Sequence, residues 1–153
     1  MSLEPFDGHL IGGGGRVLAR LAKQLEMALD GAGLSMAQYR LLGWLEPGDE
    51  ASVRLAERLA VTPPSITALV DGLVKRGFVD RVPDPADRRR LPLHLTDEGV
   101  AALHTADAAI EARLATILEH LGERSTAAAA RGLLAWETGL DRARDAHLAG
   151  AAK

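Results

Sequence analysis

Residues 52–77 read "SVRLAERLAVTPPSITALVDGLVKRG", and the punctuation of that stretch leaves the chain little freedom. Thr62 is placed to cap a helix, and Pro63 suits its first position, where a missing N–H costs nothing. Ile66, Leu69, Val70 and Leu73 follow at i, i+3, i+4 and i+7, a single stripe to bury. Gly77 is the expected stop. The opposite, exposed face is Pro64, Ser65, Thr67, Ala68, Asp71 and Lys75. Upstream, Ser52 starts a shorter helix with Val53, Leu55, Ala56, Leu59 and Ala60 on its inner side. Two short helices joined by the tight turn "AVTPPS" form a helix-turn-helix.

Two short runs come next, "FVDRV" with Phe78, Asp80 and Val82 in alternation and "LPLHL" with Leu91, Leu93 and Leu95. The turn-rich "PDPADRR" separates them, so they read as a β-hairpin, and Pro92 marks the second as an edge strand. A hairpin behind a helix-turn-helix is a wing. The fold class is therefore mainly α with a small β-hairpin wing. The wing tip carries Arg88, Arg89 and Arg90 beside Asp87. Three adjacent like charges repel, and something anionic would offset that cost. A narrow minor groove concentrates negative potential and fits such a tip. Asp87 can fix one guanidinium by an ion pair.

In this motif the second helix enters the major groove with its first residues at base edges. Here they are Thr62, Pro64, Ser65, Thr67 and Ala68. Small residues permit close approach, hydroxyls donate or accept, and free N–H groups at a helix start suit phosphate. No Arg, Asn or Gln stands there for bidentate readout, so specificity leans on shape and on the wing. Net charge is −3, yet residues 54–90 hold eight basic and five acidic side chains, or +3, which leaves −3 − 3 = −6 for the remainder. A basic middle between acidic ends suits an anion-binding module, the alternative being ordinary scatter of charge.

The flanks are helical. From Arg16 to Leu29, Val17, Leu18, Leu21, Leu25 and Leu29 recur at spacings of three and four, and "DGAG" closes that helix. Ser35 can cap the next, with Leu41, Leu42 and Leu45 running toward the loop "EPGDE". Thr96 caps a long helix with Asp97 and Glu98 in its first turn, where the dipole favours them. Its stripe runs through Val100, Leu103, Ala106, Ala109, Ile110, Leu114, Ile117, Leu118 and Leu121. Ser125 caps a last helix with Leu133, Leu134, Trp136 and Leu140. These long stripes exceed what a small central module covers, so self-association is expected. Gly12–Gly15 lacks the strand and the Lys-Ser/Thr of a phosphate loop and reads as a flexible lead into a helix.

With no cysteine, disulfides, thiolate metal sites and cysteine redox sensing are excluded. No apolar run of about 18 residues predicts a transmembrane helix, and the first residues lack a signal-peptide pattern, so a cytoplasmic protein without a membrane partner is expected. His9, His94, His104, His120 and His147 include no i, i+4 pair, so no metal site and no cofactor are expected. Nothing marks a nucleophile or substrate cleft, so the chain does not read as an enzyme. The bland reading of "RRR" is a solvated turn. A helical dimerisation or small-molecule-binding protein without specific DNA binding is the alternative to a DNA-binding regulator.

"MAQYRLLGWL", "LAERLAVTPPSITALVDGLVKRGFVDRVPDPADRRRLPLHLTDEG" and the long flanking helices together resemble the MarR family of bacterial transcriptional regulators over nearly the whole length. The resemblance implies a homodimeric subunit spanning 1–153. Residues 36–96 would be the winged DNA-binding region, with 10–34 and 97–148 interleaving as the helical dimerisation region. It implies a palindromic double-stranded operator and a repressor released by a small anionic or phenolic ligand. By position, Ser65, Thr67 and Ala68 would face bases, and Arg54, Lys75 and Arg76 would lie near phosphates. Asp87 and Arg89 would be the wing pair, with Arg88 and Arg90 beside them. The family places its effector between the dimer helices and the winged region, which makes Arg16, Tyr39, Arg40 and Trp44 the candidates here. An arginine there suits a carboxylate ligand. Pro92 departs from the family pattern and implies a short hairpin. The absence of cysteine sets the chain apart from the peroxide-sensing branch.

Overall fold

The structure, a computed structural model, describes residues 14–83 and 91–151, apart from the side chains of 145 and 147–151. It contains six helices and a two-stranded hairpin among those residues. The order is α1 (Gly14–Gly31), α2 (Met36–Leu45), α3 (Ser52–Leu59), α4 (Pro63–Lys75), β1 (Val79–Arg81), β2 (Leu93–Leu95), α5 (Asp97–Leu118) and α6 (Glu123–Ala151). The chain divides into two compact units, 1–113 and 114–153. Among the described residues no helix is long and apolar enough to cross a membrane.

The first unit is built around α2, which packs against α1, α3, α4 and β2. A capping box fixes its start: the Ser35 hydroxyl accepts from the Gln38 backbone N–H at 3.2 Å, and the Gln38 side-chain Oε1 accepts from the Ser35 backbone N–H at 3.0 Å. Such a cap is worth about 1 kcal/mol. Leu41, Leu42 and Leu45 are buried as the spacing predicts. They join Leu29, Leu55, Leu59, Ile66, Val70, Leu73, Val79, Leu93, Leu95 and Leu103 in one apolar core. Each fully buried leucine contributes about 2 kcal/mol by leaving water.

Several boundaries differ from the sequence reading. Val53 is 70% exposed, because at about 100° per residue it lies about 110° from the centre of the stripe formed by Leu55, Ala56 and Leu59, beyond its edge. Ala60 is not on the inner face. It ends α3 in the left-handed region, φ 54, and so makes the sharp turn toward α4. In β1 the buried residue is Val79, with Phe78 half-buried before the strand and Val82 exposed. Gly77 at φ 73 sets that phase. β2 is no edge at Leu93: beyond its pairing with β1, Leu93 exchanges two backbone bonds with Glu50, at 2.8 and 3.1 Å. α5 ends at Leu118 rather than Leu121, and α6 begins at Glu123, so Ser125 lies inside its first turn and is not its cap. Thr96 does cap α5, accepting from the Gly99 N–H at 3.0 Å. In the second unit, α6 exposes Leu133, Leu134, Trp136 and Leu140.

Candidate nucleic-acid interface

Pro63 and Pro64 occupy the first two positions of α4, so two of the four amides a helix start normally frees are absent. Thr62 stands at the N-cap but makes no side-chain bond to the helix backbone. Its hydroxyl pairs instead with the Ser65 hydroxyl at 2.8 Å. Thr67 donates to the Pro63 carbonyl at 3.0 Å. Three hydroxyls, those of Thr62, Ser65 and Thr67, are thereby oriented at the start of the helix. Thr62, Pro64, Ser65, Thr67, Ala68, Asp71 and Lys75 are all exposed, while Ile66, Val70 and Leu73 face the core. The face expected from the sequence is the face that α4 presents.

The cations around it are mostly held in place. Arg54 lies 3.7 Å and Arg58 3.6 Å from the two oxygens of Glu50. Glu50 is itself fixed by its backbone bridge to β2. Arg58 also sits over the Trp44 ring, 4.6 Å from its centroid, a cation–π contact. Arg81 shares a sheet face with Val79, since alternate strand residues point the same way. It therefore reaches α4 and pairs with Asp71 at 2.5 Å. On the other face Asp80 stands opposite His94, and His94 Nδ1 lies 2.7 Å from Asp49. Arg76 does not point away with Lys75. It donates to the Gly33 carbonyl at 2.8 Å and covers the Phe78 ring at 4.4 Å. Asp87, Arg88, Arg89 and Arg90 lie outside the described residues.

Glu50, Arg58, Asp71 and Arg81 were not singled out by the sequence for these roles. Arg81 and Asp71 are separated by ten residues and a glycine turn, and no helical or strand period links them. The Glu50–Arg54 pair is four residues apart, but Glu50 precedes α3, so that spacing is not a helical signal either. Among the described residues no group of three or more His, Asp or Glu is arranged to hold a metal ion.

The effector candidates fall on two helices. Arg16 is exposed in the first turn of α1, and Arg40 is exposed on α2. Tyr39 and Trp44 are half-buried against the core. The Tyr39 hydroxyl donates to Asp107 Oδ1 of α5 at 2.8 Å. Burial pushes the phenol up to about 12, helped by that bond and by the nearby charges of Asp107, Glu46 and Glu111. A separate tie, between α5 and α1, runs from Arg113 Nε to Gln24 Oε1 at 2.8 Å.

A sequence profile of the MarR family matches residues 32–90. The HTH-type transcriptional repressor YetL of Bacillus subtilis is 37% identical over 82 residues, 52% of this chain and 49% of its own. The chain thus matches about half of that relative's length. The HTH-type transcriptional regulator MT0903.1 of Mycobacterium tuberculosis is 33% identical over 103 residues, covering 64% of this chain and 72% of its own. Among solved structures, the Mycobacterium tuberculosis MarR family protein Rv2887 in complex with salicylic acid superposes with TM-score 0.68 and 28% identity, over 85% of this chain and 98% of that one. The transcriptional repressor CouR bound to a 23-mer DNA duplex gives TM-score 0.67 and 27% identity, over 90% and 99%. With the helix-turn-helix, the hairpin and these likenesses in agreement, the chain belongs to the MarR family of winged helix-turn-helix transcriptional regulators.

Proposed function

We propose that the protein is a homodimeric repressor that binds a palindromic operator and is released by a small aromatic acid. The observation that carries the DNA reading is the face of α4: seven exposed, mostly small or hydroxylated residues, with the wing strand fastened beside them by Asp71 and Arg81. Thr62, Pro64, Ser65, Thr67 and Ala68 would meet base edges. Arg54, Lys75 and the wing residues Asp87, Arg88, Arg89 and Arg90 would lie along the backbone and the minor groove. The likeness to CouR, solved on a DNA duplex, supports this. Exposed Val17, Leu18 and Met27 on α1, and Leu133, Leu134, Trp136 and Leu140 on α6, offer apolar surface for a second copy. Footprinting upstream of the protein's own gene tests the whole: two protected half-sites about one helical turn apart, roughly 10 base pairs, are expected of a two-fold dimer. One isolated patch or none would contradict it.

The likeness to Rv2887 with salicylic acid supports an aromatic carboxylate as effector. Asp107, Glu46 and Glu111 surround the Tyr39 hydroxyl with negative charge, so the ligand carboxylate would be held at Arg16 or Arg40, with Tyr39 and Trp44 against its ring. Titration calorimetry with salicylate should show heat that Arg40→Ala or Arg16→Ala reduces. Silence from the wild type at millimolar salicylate would remove the effector from the account.

A further inference from the structure

The C-terminal end of α4 is fastened on two sides. Its own closure is a Schellman motif, with the Phe78 N–H bonded to the Leu73 carbonyl at 3.0 Å and the Gly77 N–H to the Val74 carbonyl at 2.9 Å. On one side Thr96, at the start of α5, donates to the Gly77 carbonyl at 2.7 Å. Gly99 lies so close that a Cβ there would meet the Phe78 carbonyl oxygen at 2.1 Å. On the other side stands Arg76. Its guanidinium reaches across 43 residues of sequence to the Gly33 carbonyl, in the turn between α1 and α2, while its flat face covers Phe78. Gly33 holds φ +77, and a Cβ there would sit 3.6 Å from Arg76 Nη2.

Neither contact is one that a phosphate-seeking cation needs. A guanidinium laid on a ring and bonded to a carbonyl is oriented, and lysine does not reproduce that geometry. The 13 residues of α4 place Arg76 about 20 Å from the first residue of the helix, where the face that would meet base edges begins. A tilt of about 5° at this end moves the first turn by nearly 2 Å over that length, more than a hydrogen bond to a base tolerates.

We propose that Arg76 is a positioning residue for DNA recognition. By tying the end of α4 to the α1–α2 turn through the Gly33 carbonyl and Phe78, it sets the angle at which α4 presents its exposed face. This rests on α4 being the DNA-facing helix. The mechanism separates specificity from charge. Losing the tie disturbs base contacts, which need alignment, and spares the diffuse attraction to phosphates, which does not.

The test is fluorescence anisotropy of the full chain with a duplex from upstream of its own gene and a scrambled duplex, across salt concentrations, with wild type, Arg76→Ala and Arg76→Lys. Thermal melting of each variant reports the folded fraction. Wild type that does not distinguish the duplexes would overturn the DNA reading itself. With selective wild type, Arg76→Ala should lose about tenfold on the specific duplex and about twofold or less on the scrambled one, with the salt slope unchanged. Arg76→Lys, which keeps the charge, should lose selectivity in the same way. Equal losses on both duplexes with a slope flattened by about one, or full rescue by lysine, would make Arg76 a phosphate contact and overturn the proposal. So would unchanged selectivity in both variants. Thr96→Val removes the second tie at the same junction and serves if Arg76→Ala does not fold. It should reproduce the loss of selectivity with the slope kept, and unaltered selectivity there would count against the junction.

Discussion

Gly99 shows how one missing carbon fixes where a helix may start. Alanine usually stabilises a helix relative to glycine by about 1 kcal/mol. At Gly99 the added Cβ would fall 2.1 Å from the Phe78 carbonyl oxygen, which is backbone and held by the Thr96 N–H at 3.2 Å. Overpacking of this kind costs about 3 kcal/mol, so the clash outweighs propensity. Gly99→Ala should lower stability by about 2 kcal/mol net in urea denaturation, and a stabilised variant would contradict the packing described. Tyr39 offers a second reading at this scale. It is the sole tyrosine of the chain, so phenolate absorbance reports it alone. Its folded pKa is raised from 10.0 to about 12. The unfolded phenol therefore ionises first, and the stability that Tyr39 gives is whole below pH 10 and lost as pH climbs to about 12. Native protein should titrate near the upper value and urea-unfolded protein near the lower, and Tyr39→Phe should abolish that part of the alkaline stability loss. A native midpoint at the ordinary tyrosine value would contradict the burial of the phenol and its bond to Asp107.

α4 is where sequence and structure agree most closely, and the reason is local. Its cap position, its proline start, its i, i+3, i+4, i+7 stripe and its glycine stop are all short-range signals, and each appears at the expected residue. The same holds for Ser35 as the cap of α2. What escaped the sequence was long-range. No period relates Asp71 to Arg81, Arg76 to Gly33 or Leu93 to Glu50, because those contacts arise from how elements pack. The phase of β1 differs from the alternation of Phe78, Asp80 and Val82 because a strand of three residues has too few alternations to fix it, and the left-handed Gly77 precedes it. The site divides in the same way: the exposed face of α4 was legible, whereas the partners of its neighbouring arginines were not. Two substitutions distinguish the helix from the wing. Ser65→Ala should change sequence preference with little change in the salt dependence of binding, since a hydroxyl at a base edge releases no counterion. Arg89→Ala should weaken binding to all sequences and flatten the slope of log affinity against log salt by about one. Equal slopes for Arg89→Ala and wild type would contradict the role given to the wing.

For the molecule as a whole, two features have to be reconciled: a net charge of −3 and the polyanionic partner proposed for it. Charge segregation does this. The +3 of residues 54–90 accompanies the helix-turn-helix and wing, and the acidic remainder discourages binding by other surfaces. The exposed leucines of α6, with Leu134 and Leu140 near two-thirds accessible, belong to the same scale, because a helix face of that kind is stable in water when a partner covers it. If the proposed dimer forms through this face, replacing both with aspartate should shift the sedimenting species from dimer to monomer. It should also weaken operator binding far more than binding to scrambled DNA, since two half-sites would no longer be bridged. A wild-type chain that sediments as a monomer would contradict the dimer. The central claim, that this chain recognises a DNA sequence through α4 and its wing, is tested most directly by fluorescence anisotropy on the duplex upstream of its own gene against a scrambled duplex at several salt concentrations. Tight binding that is selective and falls steeply with salt is the predicted result. Weak binding, equal for both duplexes and flat in salt, would contradict it.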